Sequence, residues 1–219
     1  KFGFDSHNHQ SSDLLSTLSG LSLFVGLKGD HDSDFHLPHH QLWVYPSAES
    51  VGQSLDDLPN TLEEALKSMK PSDFRPVFIA SPSGKDRSWK THSPNRSTLE
   101  IIAFVPWRWF EAFAVGNRGG PPGSHGPKYE EAKEKLGQLV WTRARQVLMD
   151  GGSKNLPESL SEVDTYAIGT PLTFSHYLWS EQGSFYGSAI NMHRFSPRVF
   201  YELMRPDVGP AVPRGLYIT

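Results

Sequence analysis

A chain of 219 residues with 37% hydrophobic and 21% charged side chains has the composition of a globular protein able to bury a core. Its net charge of -3, with no run of Lys or Arg, supplies none of the phosphate-neutralising surface that nucleic-acid binding depends on, so nucleic acid is not an expected partner. Zero cysteines exclude disulfides, thiolate nucleophiles and Cys-ligated metal centres, and leave the redox compartment open.

The start, Lys1, Phe2, Gly3 and Phe4, has neither the basic nor the apolar region of a signal or transit peptide, and the chain reads as beginning in mid-protein. Two short apolar runs, Leu21 to Lys28 and Gln41 to Tyr45, predict strands separated by a polar loop rich in Asp and His. Thr61 followed three residues later by Glu64 predicts a capped helix from about Leu62 to Met69. Pro76 to Ser81 and Ser97 to Val105 are rich in β-branched and aromatic residues and predict an antiparallel pair of strands. The aromatic stretch Trp107 to Phe113 predicts a helix, with Trp107, Phe110 and Phe113 on one side and Arg108 and Glu111 on the other.

Gly116 to Pro127 is too rich in Gly and Pro for a regular element and reads as an inserted loop, either mobile or a contact arm. Beyond it Ala132, Leu136, Leu139, Val140, Ala144, Val147 and Leu148 recur at three and four, predicting an amphipathic helix of about five or six turns. Gly151 and Gly152 stop it. A strand at Val163 to Gly169, a helix at Leu172 to Trp179 and the start of a buried strand at Gly215 to Thr219 complete the pattern. The apolar stretch Leu99 to Val115 carries Glu100, Arg108 and Glu111 and is broken by Pro106, so no membrane span is expected, since one needs about 20 largely uncharged residues. The fold class expected is α/β: a mixed, largely antiparallel sheet with flanking helices.

Several chemical motifs are incomplete. Asp30, Asp32 and Asp34 have calcium-loop spacing, but Phe35 replaces the turn glycine and Gln41 the bidentate Glu. His7, His9, His31, His36, His39 and His40 lack the helical i, i+4 placement that converges metal ligands, so no metal is expected and a solvated His-rich loop is. Gly119, Gly120, Gly123 and Gly126 resemble a phosphate loop in composition, but Pro121, Pro122 and Pro127 remove backbone donors and no strand leads in. A G-x-S-x-G elbow and a P-loop G-K-[ST] are both missing.

The remaining signals lie in order along the chain. Gly169, Thr170, Pro171, Leu172 and Thr173 precede Gly183, Ser184, Phe185, Tyr186 and Gly187; Arg205 and Pro206 follow, then Gly215, Leu216, Tyr217, Ile218 and Thr219. Upstream stand Leu23 to Gly29, Leu37 and Pro38, Trp43 to Tyr45, and Ser81 to Asp86 leading to Ser97 and Thr98. In this order the motifs resemble the retinol saturase, carotenoid isomerase and phytoene desaturase group over most of the chain.

That resemblance implies the substrate-binding part, spanning residues 1-219, of an oxidoreductase of the FAD/NAD(P)-binding class. Its Rossmann-like half and closing Gly-Gln-Asp segment, which hold the flavin, would lie outside both ends. It implies FAD as cofactor of the parent protein, with NAD(P) possible, and reduction, isomerisation or desaturation of a hydrophobic polyene, a retinoid or carotenoid. The residues expected to face the substrate are Trp107, Phe110, Thr170, Tyr186 and Gly187; Tyr217 and Thr219 would stand nearest the flavin. Tyr186 is the weak candidate for a proton donor, although a phenol of pKa about 10 needs help to serve as one. Thr170 and Pro171 also suit the cap and first turn of a helix, and the aromatic group also suits a core. A membrane surface, of the endoplasmic reticulum or plastid, is the expected setting. The alternative is a non-catalytic scaffold or pigment-binding subunit docked to a larger membrane complex.

Overall fold

The computed structural model describes residues 19–45, 57–74, 76–114, 120–121 and 123–185. Five strands form one sheet: β1 (Gly20–Lys28), β2 (Leu42–Val44), β3 (Val77–Ala80), β4 (Arg96–Phe104) and β5 (Thr165–Gly169). Their order across the sheet is β2-β3-β4-β1-β5, and every one of these pairings is antiparallel. Helices α1 (Leu62–Ser68), α2 (Pro82–Lys85), α3 (Trp89–His92), α4 (Pro127–Asp150) and α5 (Pro171–Leu178) flank it, which is the expected α/β architecture, the sheet expected to be mixed and largely antiparallel being antiparallel throughout among the described residues. Among the described residues no helix is long and apolar enough to cross a membrane.

Strand alternation creates the core. Leu21, Leu23, Val25 and Leu27 of β1 pair with Ala103, Ile101, Leu99 and Ser97 of β4, and all eight are buried on one face. Val77 and Ile79 extend that face onto β3. Against it lies α4, whose Tyr129, Ala132, Leu136, Val140, Ala144 and Leu148 form the stripe of threes and fours. Fully burying each large aliphatic side chain here contributes about 1.5–3 kcal/mol before entropy is counted. Gly137 is the point of closest approach: a Cβ there would stand 3.1 Å from Ile168 Cγ1 of β5, so the absence of a side chain lets helix and strand pack tightly.

The helix is longer at its start than the apolar pattern indicated, because Pro127 is its first residue and Gly126 its cap; the loop read as ending at Pro127 therefore ends one residue earlier. After Gly152 the chain returns along the same helix: Trp141 Nε1 donates to Pro157 O (3.2 Å), Arg145 Nε to Leu156 O (3.1 Å), and Gln138 Oε1 accepts from Leu160 N–H (3.0 Å). The predicted cap at Thr61 is present in both directions, Glu64 N–H to Thr61 Oγ1 and Thr61 N–H to Glu64 Oε2, each 3.2 Å.

Two expectations need correction. Trp107 to Phe113 is not an α-helix but two 3-10 turns, Trp107–Trp109 and Glu111–Phe113, broken at Phe110. Tertiary packing decides this, since Trp109 and Phe110 both enter the core, Trp109 Nε1 donates to Pro59 O (2.7 Å) and Arg108 Nη2 to Leu58 O (2.8 Å). The polar loop expected between β3 and β4 carries α2 and α3, with Ser81 capping α2 through Gly84 N–H (3.2 Å). The strand expected at Gly215 to Thr219 lies outside the described residues.

Candidate functional site

The side chains that alternate with the core on each strand define a second sheet face. Trp43 of β2 pairs with Phe78 of β3, Phe78 with Ile102 of β4, and Ile102 with Ser22 of β1; one step along, Phe24 of β1 sits between Glu100 of β4 and Ala167 of β5. The Trp43 and Phe78 rings are 5.1 Å apart. Trp43 is 53% and Phe24 47% exposed, while Phe78 and Ile102 are half-buried. An apolar and aromatic band therefore runs across the sheet on the side away from α4, with the half-buried Glu100 carboxylate beside it. The two exposed rings, Trp43 and Phe24, flank the half-buried Phe78 and Ile102 and the buried Ser22 on this face.

The band leads to the sheet end where β1 begins and β4 and β5 finish, since Gly20 pairs with Phe104 and Ser22 with Gly169. There Phe185 packs edge-on against Phe104 (6.1 Å) and Phe174 (4.7 Å). A bridge between Ser19 and Ser184 holds that segment to the sheet.

Thr170 stands at the same end. It caps α5 with Pro171 at the first helical position, the structural role its sequence suggested. It is fully buried, and its Oγ1 lies 2.6 Å from Tyr129 Oη of α4. Burial pushes the Tyr129 phenol above its ordinary pKa, with the Thr170 hydrogen bond working the other way, so the ring stays protonated at neutral pH. His125 packs on that ring at 4.6 Å and its Nδ1 lies 2.9 Å from Phe113 O. Tyr129, His125, Lys133, Thr173 and His176 line a small recess of about 50 Å³. Its lining carries hydrogen-bonding and charged side chains.

Of the residues expected to face a substrate, Trp107 is half-buried, Phe110 lies in the core with 0% exposure, and Thr170 is buried against Tyr129. The recess is formed by none of these three. Tyr186, Gly187, Tyr217 and Thr219 lie outside the described residues. Phe24, Trp43, Phe78 and Ile102 were missed because each sits inside a short apolar run, where composition does not tell one face from the other. Tyr129 had a signal: it precedes Ala132 by three and heads the same helical stripe. The His-rich loop also does what its spacing did not indicate, bringing His31, Asp32 and His39 together.

No family model matches the chain. Among curated proteins it is similar to all-trans-retinol 13,14-reductases. The Danio rerio protein is 28% identical over 181 residues, covering 81% of this chain and 26% of that protein. The Macaca fascicularis protein is 28% identical over 203 residues, 92% of this chain and 30% of that protein. The human protein is 27% identical over 198 residues, 90% of this chain and 29% of that protein. The retinol saturase-like resemblance read from the ordered motifs is borne out by these relatives, and the chain spans less than a third of the length of each.

Proposed function

We propose that this chain is the substrate-facing part of a flavin-dependent oxidoreductase acting on a retinoid or carotenoid, by double-bond reduction, isomerisation or desaturation. The observation that carries the reading is the similarity to proteins named all-trans-retinol 13,14-reductase along 81% to 92% of the chain. The aromatic sheet face supports it. Trp43, Phe78, Ile102 and Phe24 would strip water from a conjugated chain and hold it flat, since rings provide large contact area at small entropy cost. A polar end of the substrate would reach the Glu100 carboxylate, half-buried on the same face.

FAD would supply the hydride chemistry when bound. The described residues do not themselves fit it: Gly120, Gly123 and Gly126 precede α4, but no strand runs directly into them and Pro121 and Pro127 offer no N–H to a phosphate. In this reading the flavin is held by the part of a longer protein that the chain does not match. Tyr177, Leu178 and Trp179, exposed at the end of α5, suit a protein that takes its substrate from a membrane surface of the endoplasmic reticulum or plastid.

The test is to express the longer protein that contains this chain, its flavin-binding part included, in cells supplied with all-trans-retinol or with a carotenoid and to separate the extracted polyenes by chromatography with absorbance detection. A product of altered conjugation or double-bond geometry, reduced in amount by Trp43→Ser and Phe24→Ser, is expected. Unchanged polyenes across both classes would sink the reading.

A further inference from the structure

We propose that His31, Asp32 and His39 form a binding site for a divalent transition-metal ion such as zinc, at which Lys90 is the built-in competitor. The site lies in the loop after β1, at the sheet end opposite Thr170.

Asp32 stands between the two imidazoles, with Oδ1 2.8 Å from His39 Nε2 and Oδ2 3.5 Å from His31 Nε2. One ligand atom from each of the three residues lies within 4.8 Å of the others. Zinc binds nitrogen and carboxylate oxygen at about 2.0–2.2 Å, which sets tetrahedral ligands roughly 3.4 Å apart, so the set needs only side-chain adjustment to close on an ion. Two histidines and a carboxylate are a donor set of the right hardness for zinc, with water completing the shell. His31 is only 4% exposed and presents its Nε2 to Asp32, so the imidazole that would ligate the ion is held in place by burial.

The loop is built to hold these residues still. Asp30 Oδ1 accepts the N–H groups of Asp32 (3.0 Å) and Ser33 (2.9 Å), and Asp34 Oδ2 accepts from Asp30 N–H (2.7 Å). The turn after α4 anchors the loop from outside: Ser153 Oγ donates to His36 O (3.0 Å), Asn155 Nδ2 to Asp34 O (2.9 Å), and Lys154 N–H to Phe35 O (2.9 Å). Preorganisation of this kind reduces the ordering cost of binding.

Lys90 of α3 sets its ammonium 3.0 Å from Asp32 Oδ2 and 3.2 Å from Asp30 Oδ2. It neutralises the carboxylate that a metal would need, so ion and ammonium compete for Asp32. Binding would displace Lys90 and tie His31 and His39 through one centre, cross-linking the loop.

The test is calorimetric titration of the untagged protein with zinc chloride, paralleled by cobalt chloride with visible absorbance reporting the donor set. One ion per chain is expected. His39→Ala, at an exposed position, should weaken binding about tenfold or more. Lys90→Met should tighten it, and the His36→Gln/His40→Gln double variant should leave it unchanged. Circular dichroism confirms that each variant keeps the fold. An affinity insensitive to His39→Ala or to Lys90→Met, or one lost in the double variant, overturns the proposal.

Discussion

Tyr129 Oη and Thr170 Oγ1 meet at 2.6 Å in the core, joining the first turn of α4 to the cap of α5 across 41 residues of sequence. Removing the phenol leaves the Thr170 hydroxyl buried without this partner. Tyr129→Phe should therefore lower stability by about 1–3 kcal/mol, measured by urea unfolding. Thr170→Val also removes the α5 cap, but the losses from the two substitutions together should be less than their sum. Additive losses in the double-mutant cycle would show that the pair is not coupled.

Gly20 carries Phe185 directly over its backbone. A Cβ added at Gly20 would collide with the Phe185 ring and stand 2.9 Å from Ala103 O. Gly20→Ala should destabilise the protein by about 1–3 kcal/mol, because the ring must leave Phe104 and Phe174. Phe185→Ala should relieve the clash, so that Gly20→Ala costs less in that background; an equal cost in both would contradict the packing.

Asp30 is the acid-sensitive point of the loop. The Ser33 backbone N–H, opposed by desolvation and aided by Lys90 and the Asp32 N–H, lowers its pKa from the ordinary 3.8 to about 2. A depressed folded-state pKa means that the carboxylate adds stability above about pH 4 and loses that contribution as pH falls toward 2. Asp30→Asn should thus be less stable than the parent at pH 6, with the gap closing by pH 2 in thermal melts. A gap of constant size would rule out the linkage.

Phe24 and Trp43 are about half-exposed, so Phe24→Ser and Trp43→Ala should each lower stability by about 1 kcal/mol through the cross-strand contacts they lose, and leave the fold intact. On the proposed function, each should weaken retinoid binding about tenfold, the equivalent of losing one buried ring contact of about 1.5 kcal/mol, followed by retinol fluorescence. Equal affinity in both variants would move the substrate off this face.

Much of the architecture was legible because it rests on local periodicity. The stripe from Ala132 to Leu148 showed α4, the Thr61 and Glu64 pair showed the start of α1, and the apolar runs showed the strands. The ordered motifs pointed to the retinol saturase-like relatives without any of that geometry. Local pattern failed where distant partners decided the outcome. The aromatic stretch from Trp107 had helical spacing, yet Pro59 O and the core took Trp109 and Phe110 and broke it into two turns.

The functional surfaces divide the same way. Sequence alone determined that the chain is an α/β unit without cysteines, and it carried the family resemblance, since composition, period and motif order are properties of the linear chain. Only tertiary structure decided that Phe24, Trp43, Phe78 and Ile102 share one face, that Thr170 meets Tyr129, and that His31, Asp32 and His39 converge beside Lys90. Those relationships depend on strand register and on loops closed by hydrogen bonds between residues as much as 121 positions apart. Spacing in the chain does not encode such distances; the fold does.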